Sequence, residues 1–178
     1  MREETRSSRT LYNGRVLTLE IMDVEREDGL RSVREIVRHA RAVGVLARRA
    51  DGRFVWVRQF RKAMEEDVIE VCAGLVDPGE SPEAAARREL SEETGFTATR
   101  LVLLGEVYSS PGYSDEKVTI YYAECDAPAR ALRLDEEEQI ENLELTEAQV
   151  EAMIRSGEIR DAKSIAAWLL YRIGREPA

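Results

Sequence analysis

Residues 74–96 read GLVDPGESPEAAARRELSEETGF, and they predict a tight turn followed by one well-delimited helix. The turn is Asp77-Pro78-Gly79, because proline fixes its own φ and glycine accepts the positive φ that tight turns need. Ser81-Pro82 supplies an N-cap and a favourable first helical residue. Gly95 suits the position just beyond the last turn. We therefore expect a helix over Pro82–Thr94.

Three carboxylates share one face of this predicted helix. With about 100° of rotation per residue, Glu89, Glu92 and Glu93 fall within a sector of about 100°. Like charges at this spacing repel, and a hard divalent cation with oxygen ligands would remove the repulsion. An acidic run is more often a solvated helix face, here with Arg87 and Arg88 as surface partners. The helix alone therefore leaves a solvated face and a metal site both open.

The composition narrows the classes of protein and of site. The chain has 178 residues, of which 43% are hydrophobic and 34% charged, as expected for one globular domain with at most a small appendage. No apolar run approaches the roughly 20 residues of a membrane span. His39 is the only histidine, which excludes a multi-histidine zinc site. Cys72 and Cys125 lie far apart and are expected to be reduced core thiols.

The charge balance bears on the ligand. The formal net charge is −9, so nonspecific binding to a nucleic-acid backbone is not expected. An anionic substrate would need a cation between itself and the protein, and a metal ion is the usual one. Residues 1–10 are polar and resemble no secretory signal, so we expect a cytoplasmic protein that binds neither membranes nor nucleic acid.

Outward from the helix, strands and helices alternate irregularly. Residues 5–38 show the two-residue alternation of a β-meander. A capping box at Thr146–Gln149 opens a helix to about Ser156, and a last helix covers about residues 161–173. Further strands are expected at Ala42–Ala47, Phe54–Phe60, Asp67–Cys72, Leu101–Tyr108, Lys117–Glu124 and Ile140–Leu145. This mixture indicates an α+β fold with a mixed sheet.

The spacing of residues 74–96 is G-x5-E-x7-R-E-U-x-E-E-x-G-U, with U apolar, and every fixed position is filled. This is the signature that the Nudix hydrolases share, and the order of elements resembles that family over most of the chain. The resemblance implies an α/β/α sandwich with a mixed sheet over residues 41–178. It also implies that the antiparallel meander of residues 1–40 forms an extra sheet through which such enzymes make homodimers.

The resemblance also implies a metal site. In that family, residues at the positions of Glu89 and Glu93 bind divalent metals, the residue at Glu92 often contributes, and the carbonyl at Ala73 completes the set. The cofactor implied is Mg²⁺, with Mn²⁺ as a substitute. Residues at the positions of Arg88 and Glu80 orient the helix and its loop.

Features outside the helix resemble the ADP-ribose pyrophosphatase subgroup. Pro111 stands where that subgroup has a proline that marks its substrate. Arg61 corresponds to an arginine on a phosphate, Glu70 to a glutamate near the site, and Arg34 to an arginine near the adenine. Cys72 replaces the proline usual there. The implied reaction is metal-dependent cleavage of the pyrophosphate bond of ADP-ribose, giving AMP and ribose 5-phosphate.

The resemblance to this subgroup also implies a general base in an acidic loop far along the chain, and the matching stretch here is residues 135–140. Glu136 is the first choice for this base and Glu138 the second, judged by their distance from the strand that begins at Ile140. Glu92 on the helix is the third candidate. Glu136, Glu138 and Glu92 are thus the predicted catalytic residues.

Three further interpretations stay open. The chain could hydrolyse GDP-mannose or another nucleoside diphosphate sugar. It could instead be a non-catalytic regulator of the same fold that binds a ligand; such regulators often lose the helix glutamates, which this chain keeps. A nucleoside triphosphate hydrolase is the weakest alternative, because those enzymes usually lack the N-terminal meander.

Overall fold

The computed structural model describes residues 2–126 and 139–174. The chain divides into two compact units. The first, here called the N-terminal unit, comprises Met1–Arg41 and Tyr108–Lys117, and the second, the main unit, comprises Ala42–Val107 and Val118–Ala178. The predicted domain boundary at residue 40 stays a prediction.

The N-terminal unit is built on a three-stranded antiparallel sheet in the order β1-β2-β3. Its strands are β1 (Glu3–Asn13), β2 (Leu17–Arg26) and β3 (Arg31–His39). Gly29 has φ of 82°, which explains a glycine in the second turn. Every residue of β1 is exposed and it pairs with β2 alone among the described strands, so β1 is an open edge. The predicted antiparallel meander is confirmed.

The main unit contains a seven-stranded mixed sheet. Its central order is β10-β5-β4-β9-β8, with β6 paired to β5 and β7 paired to β4. Strands β4 and β9 run parallel, whereas β4 pairs antiparallel with both β5 and β7. The strands are β4 (Ala42–Arg49), β5 (Phe54–Arg61), β6 (Glu66–Glu70), β7 (Cys72–Leu75), β8 (Ala98–Tyr108), β9 (Lys117–Cys125) and β10 (Ile140–Leu145).

The single strand predicted over Asp67–Cys72 is in fact two strands that meet at Val71. Before the break β6 pairs with β5, and after it β7 pairs with β4. The change of partner is possible because β5 pairs with β4 only near the end of β4, at Ala47 and Arg48. The first half of β4 is therefore open, and β7 fills it. Ala73 is the second residue after this break.

Three helices of the described residues enclose the main sheet: α1 (Pro82–Thr94), α2 (Glu147–Ser156) and α3 (Ala162–Arg172). One face of the sheet packs on α1 through Leu90, with Val43 and Val45 from β4. The other face packs on the last two helices, with Val150 and Trp168 in that core cluster. The α/β/α sandwich is confirmed. No helix in residues 2–126 or 139–174 is long and apolar enough to span a bilayer.

The capping residues in the sequence predicted the ends of α1 and the start of α2 correctly. The Ser81 hydroxyl accepts the Ala84 N–H at 3.2 Å, and Gly95 closes α1 with φ of 73°. Thr146 and Gln149 form the predicted capping box of α2. The two cysteines are buried and free, as expected.

Candidate active site

Glu93 joins α1 to the main sheet. It is only 4% exposed, and its Oε2 accepts the N–H of Ala73 at 3.2 Å. The thiol of Cys72 lies beside the same carboxylate. Burial, followed by the charge of Glu93, holds the pKa of Cys72 well above its ordinary value of 9.0, so the sulfur stays protonated. The structure thus brings together Ala73 and Glu93, two of the predicted metal ligands.

Glu89, the third of these residues, lies against the strand at Gly74. A Cβ built on Gly74 would stand 2.1 Å from both Cδ and Oε1 of Glu89. No atom can occupy that space, so glycine is required for the carboxylate to approach β7 this closely. The Glu89 side chain is 14% exposed. Glu93 and Glu89 therefore contact two consecutive residues of β7, Ala73 and Gly74.

Arg88 holds the turn and the carboxylates of the helix. Its Nε and Nη2 donate to the two oxygens of Glu80, at 3.1 and 3.0 Å, and Nη2 also donates to the Leu75 carbonyl. Its Nη1 donates to Oε1 of Glu89 at 2.8 Å and to Oε2 of Glu92 at 3.1 Å. The hydrogen bonds from Arg88 hold the pKa of Glu80 below its ordinary value. Arg88 thus orients both the turn and the acidic face, as predicted.

The acidic residues of α1 have the chemistry of metal ligands, but in this structure their side chains do not converge on one point. Carboxylates beside a main-chain carbonyl are the donors that hard divalent cations prefer. Within the described ranges, no three His, Cys, Asp or Glu side chains form a group ready to hold an ion. The reason at this site is that Glu89 and Glu92 converge on Arg88 instead.

Arg61 and Glu70 form a bidentate ion pair. Arg61 donates from Nε to Oε1 of Glu70 at 2.6 Å and from Nη2 to Oε2 at 2.9 Å. Glu70 is buried and also pairs with Lys163. Burial alone raises the pKa of Glu70, but the hydrogen bond from Arg61 and the charge of Lys163 outweigh it, so the pKa falls below its ordinary value of 4.5. Nη1 of Arg61 makes no hydrogen bond to a described residue and the side chain is 41% exposed, so the guanidinium can still bind an anion.

The other two predicted substrate residues belong to the N-terminal unit. Arg34 on β3 donates to Glu3 from Nε at 3.1 Å and to Ser32 from Nη1 at 2.9 Å. Pro111 lies in a segment that is tied to the same strand. The Val37 N–H donates to the Tyr113 carbonyl at 2.7 Å, and the Asp115 N–H donates to the Val37 carbonyl at 3.2 Å.

The predicted bases Glu136 and Glu138 lie outside the described residues. Glu92, the third candidate, is 40% exposed and bonded to Arg88. The sequence reasoning missed Lys163 and Ser164, which bind the segment around Glu70 from the first turn of α3. The sequence offered one weak signal for Lys163, because a lysine in the first turn of a helix is slightly unfavourable with respect to the helix dipole.

Comparison with known proteins gives consistent results. The family model described as the NUDIX domain matches residues 38–168. The ADP-ribose pyrophosphatase of Bacillus subtilis is 40% identical over 168 residues, which cover 94% of this chain and 91% of that protein. The methanol dehydrogenase activator of Bacillus methanolicus is 37% identical, with 93% and 90% covered.

Two further matches bear on the substrate and on the fold. The GDP-mannose pyrophosphatase of Cronobacter sakazakii is 36% identical over 80% of each chain. A solved structure of an ADP compounds hydrolase superposes with a TM-score of 0.87 at 29% identity, covering 97% of this chain and 94% of its own. The matches extend over nearly the whole chain and not only over residues 74–96.

Proposed function

The chain belongs to the Nudix hydrolase family, and we propose that it hydrolyses the pyrophosphate bond of ADP-ribose to AMP and ribose 5-phosphate. The observation that carries this proposal is the complete acidic face of α1, with Glu93 buried against Ala73 and Glu89 lying over Gly74. A regulator that only binds a ligand would not need these residues. The similarity to the Bacillus subtilis pyrophosphatase supports ADP-ribose as the substrate.

Divalent-metal dependence is general in this family. We propose that Glu89, Glu93 and the Ala73 carbonyl hold the ions, that Glu92 contributes, and that Mg²⁺ is the metal used, with Mn²⁺ as a substitute. Bound cations supply charge neutralisation at the diphosphate and a water of lowered pKa. This role accounts for an anionic substrate on a chain whose net charge is −9.

The chain's own residues bind and orient the substrate. Arg61 is held at two points by Glu70, which leaves Nη1 for a phosphate oxygen. Its pKa is raised by the hydrogen bond to Glu70, so the guanidinium is charged at any working pH. In the N-terminal unit, Arg34 is proposed to contact the adenine and Pro111 to shape the substrate site.

The proton of the attacking water needs an acceptor. Glu136 is the proposed base, Glu138 the second choice, and Glu92 the third. A base must lie within hydrogen-bonding reach of the water in the substrate complex, although in the free enzyme the contact can be long. Separate Gln variants of the three would rank them by the loss of kcat.

GDP-mannose is the second candidate substrate. Relatives named GDP-mannose pyrophosphatases match 80% of the chain, and Cys72 departs from the proline usual in the ADP-ribose subgroup. The proposed reaction chemistry is the same, because both substrates are diphosphates that join a nucleoside to a sugar. A cytoplasmic location and a homodimer stay predictions.

The proposal is tested with a panel of ADP-ribose, GDP-mannose and UDP-glucose, scoring AMP, GMP or UMP in Mg²⁺. We expect AMP from ADP-ribose with the highest kcat/KM. Glu93→Gln, which keeps an acceptor for the Ala73 N–H, should lower kcat by about a thousandfold. Glu83→Gln is the matched control, because Glu83 lies on the same helix and pairs with Arg87 at the surface. No turnover of any panel member, or near-normal rates in Glu93→Gln, would overturn the proposal.

A further inference from the structure

The first turn of α3 binds the break between β6 and β7 through two neighbouring side chains. The hydroxyl of Ser164, which is fully buried, accepts the Val71 N–H at 2.9 Å. The Nζ of Lys163 pairs with the buried carboxylate of Glu70. Val71 stands outside both strand ladders, so Ser164 satisfies an amide that no strand partner satisfies.

The direction of the Ser164 hydrogen bonds is fixed by Asp161, the N-cap of α3. Its Oδ2 accepts the Ser164 hydroxyl at 2.5 Å and the Ser164 N–H at 2.9 Å. A carboxylate can only accept, so the hydroxyl proton goes to Asp161 and the oxygen lone pairs are left for Val71. One carboxylate therefore both caps the helix and sets the serine to receive the strand amide.

We propose that Ser164 is a positioning residue for the active site, acting through Val71. Ser164 holds the short segment Glu70–Ala73, and residues on both sides of Val71 contact residues of the proposed site. Glu70, one residue before Val71, holds Arg61, and Ala73, two residues after it, donates to Glu93. Holding Val71 in place constrains Glu70, which orients the arginine proposed to bind phosphate, relative to the Ala73 carbonyl, a proposed metal ligand. This inference rests on the proposed function.

Helix stability alone does not explain these residue types. Serine is a weak helix former, and a cation in the first turn opposes the helix dipole. Both residues contact Asp161 at the start of α3, and both also reach beyond the helix to the β6–β7 break, Ser164 at Val71 and Lys163 at Glu70. The choice of residues therefore serves the strand as well as the helix, and misplacing a binding group by about an ångström is enough to cost about a hundredfold in rate.

The test compares Ser164→Ala with Ser164→Thr, which keeps the hydroxyl. Ala167→Gly is the matched control, because it weakens α3 within the core cluster that also holds Val71 but leaves the Ser164 hydroxyl in place. Two quantities are measured: kcat and KM for ADP-ribose at saturating Mg²⁺, and the Kd for Mn²⁺ without nucleotide, from the electron paramagnetic resonance signal of free Mn²⁺. All assays run well below the measured Tm of each variant.

We expect Ser164→Ala to lower kcat/KM by about tenfold and to weaken Mn²⁺ binding about fivefold. Ser164→Thr and Ala167→Gly should stay within about threefold of the unmodified chain in both quantities. If Ser164→Ala does not fold, Ser164→Cys replaces it with the same thresholds, because a thiol is a weak acceptor of similar size.

Ser164→Ala values within about twofold of the unmodified chain, or an equal loss in Ala167→Gly, would overturn the positioning role. A failure of the proposed function is distinguishable, because the unmodified chain would then turn over no panel member. The Mn²⁺ measurement would in that case decide the role of Ser164 without reference to turnover.

Discussion

At the scale of single residues, Gly74 is the glycine of the site that has no room for a side chain. Its lack of a side chain, and not an unusual φ, is what the site uses, because Glu89 occupies the place of a Cβ. The sequence signature marks the glycine as fixed but does not give the reason. That reason needs β7 and α1 side by side, which is tertiary information.

Gly74→Ala should lower activity strongly with little effect on folding. The new methyl displaces the end of a flexible Glu89 side chain, which costs little stability but moves a proposed metal ligand. We expect kcat/KM to fall about a hundredfold and the free energy of unfolding to change by less than about 1 kcal/mol. The assays are Mg²⁺-dependent AMP release and urea unfolding.

Gly105→Ala is the control for this prediction, because a Cβ there meets only Leu170 Cδ1, at 3.5 Å, which is ordinary contact. Equal losses of activity in the two variants would show that the position of Glu89 is not what matters.

The sequence also could not predict which of the three carboxylates is buried. A helical projection places Glu89, Glu92 and Glu93 on one sector and treats them alike. In the structure Glu93 is buried while Glu92 is 40% exposed, because only the inner edge of the sector meets β7. The projection therefore groups the three residues but cannot order them by burial.

At the scale of elements, prediction succeeded where local signals suffice. Helix α1 begins at Pro82 and ends at Thr94 as predicted, because its caps are encoded within a few residues. The β6–β7 break was missed because Val71 sits in an unbroken apolar run. What breaks the strand is its change of partner from β5 to β4, and pairing over long sequence distances leaves no local mark.

Glu70 predicts a pH dependence of stability. Its pKa is lowered in the folded chain from an ordinary value of 4.5, so its contribution is full above that value and is lost as the pH falls below it. Glu70→Gln should therefore lower the free energy of unfolding by about 2 kcal/mol near pH 7 and by less near pH 4. Urea unfolding at the two pH values measures the difference.

Glu66→Gln is the matched control for this pH dependence, because Glu66 lies on the same strand and pairs with Arg160 at the exposed surface. It should change stability little at either pH. A Glu70→Gln effect that grows toward acid pH would contradict the assigned direction of the pKa.

At the scale of the whole molecule, a homodimer formed through the N-terminal sheet is a prediction that can be tested. Strand β1 is an open edge, and Leu11 and Val33 are among its unit's large exposed apolar side chains. We expect light scattering to give twice the chain mass of 20.2 kDa.

Leu11→Asp and Val33→Asp should shift the mass toward the monomer, because a charge in an apolar interface is costly. Leu169→Asp in the main unit, 54% exposed like the other two, should leave the mass unchanged. A monomer in the unmodified chain would rule out the dimer.

The acidic face of α1 is proposed to hold divalent cations. Crystals soaked in Mn²⁺, with an anomalous difference map calculated at the manganese edge, test this role most directly. We predict a peak within about 2.2 Å of carboxylate oxygens of Glu89 and Glu93 and of the Ala73 carbonyl, with Glu89 turned away from Arg88. A map without a peak there, in which Glu89 and Glu92 still bind Arg88, would contradict the account.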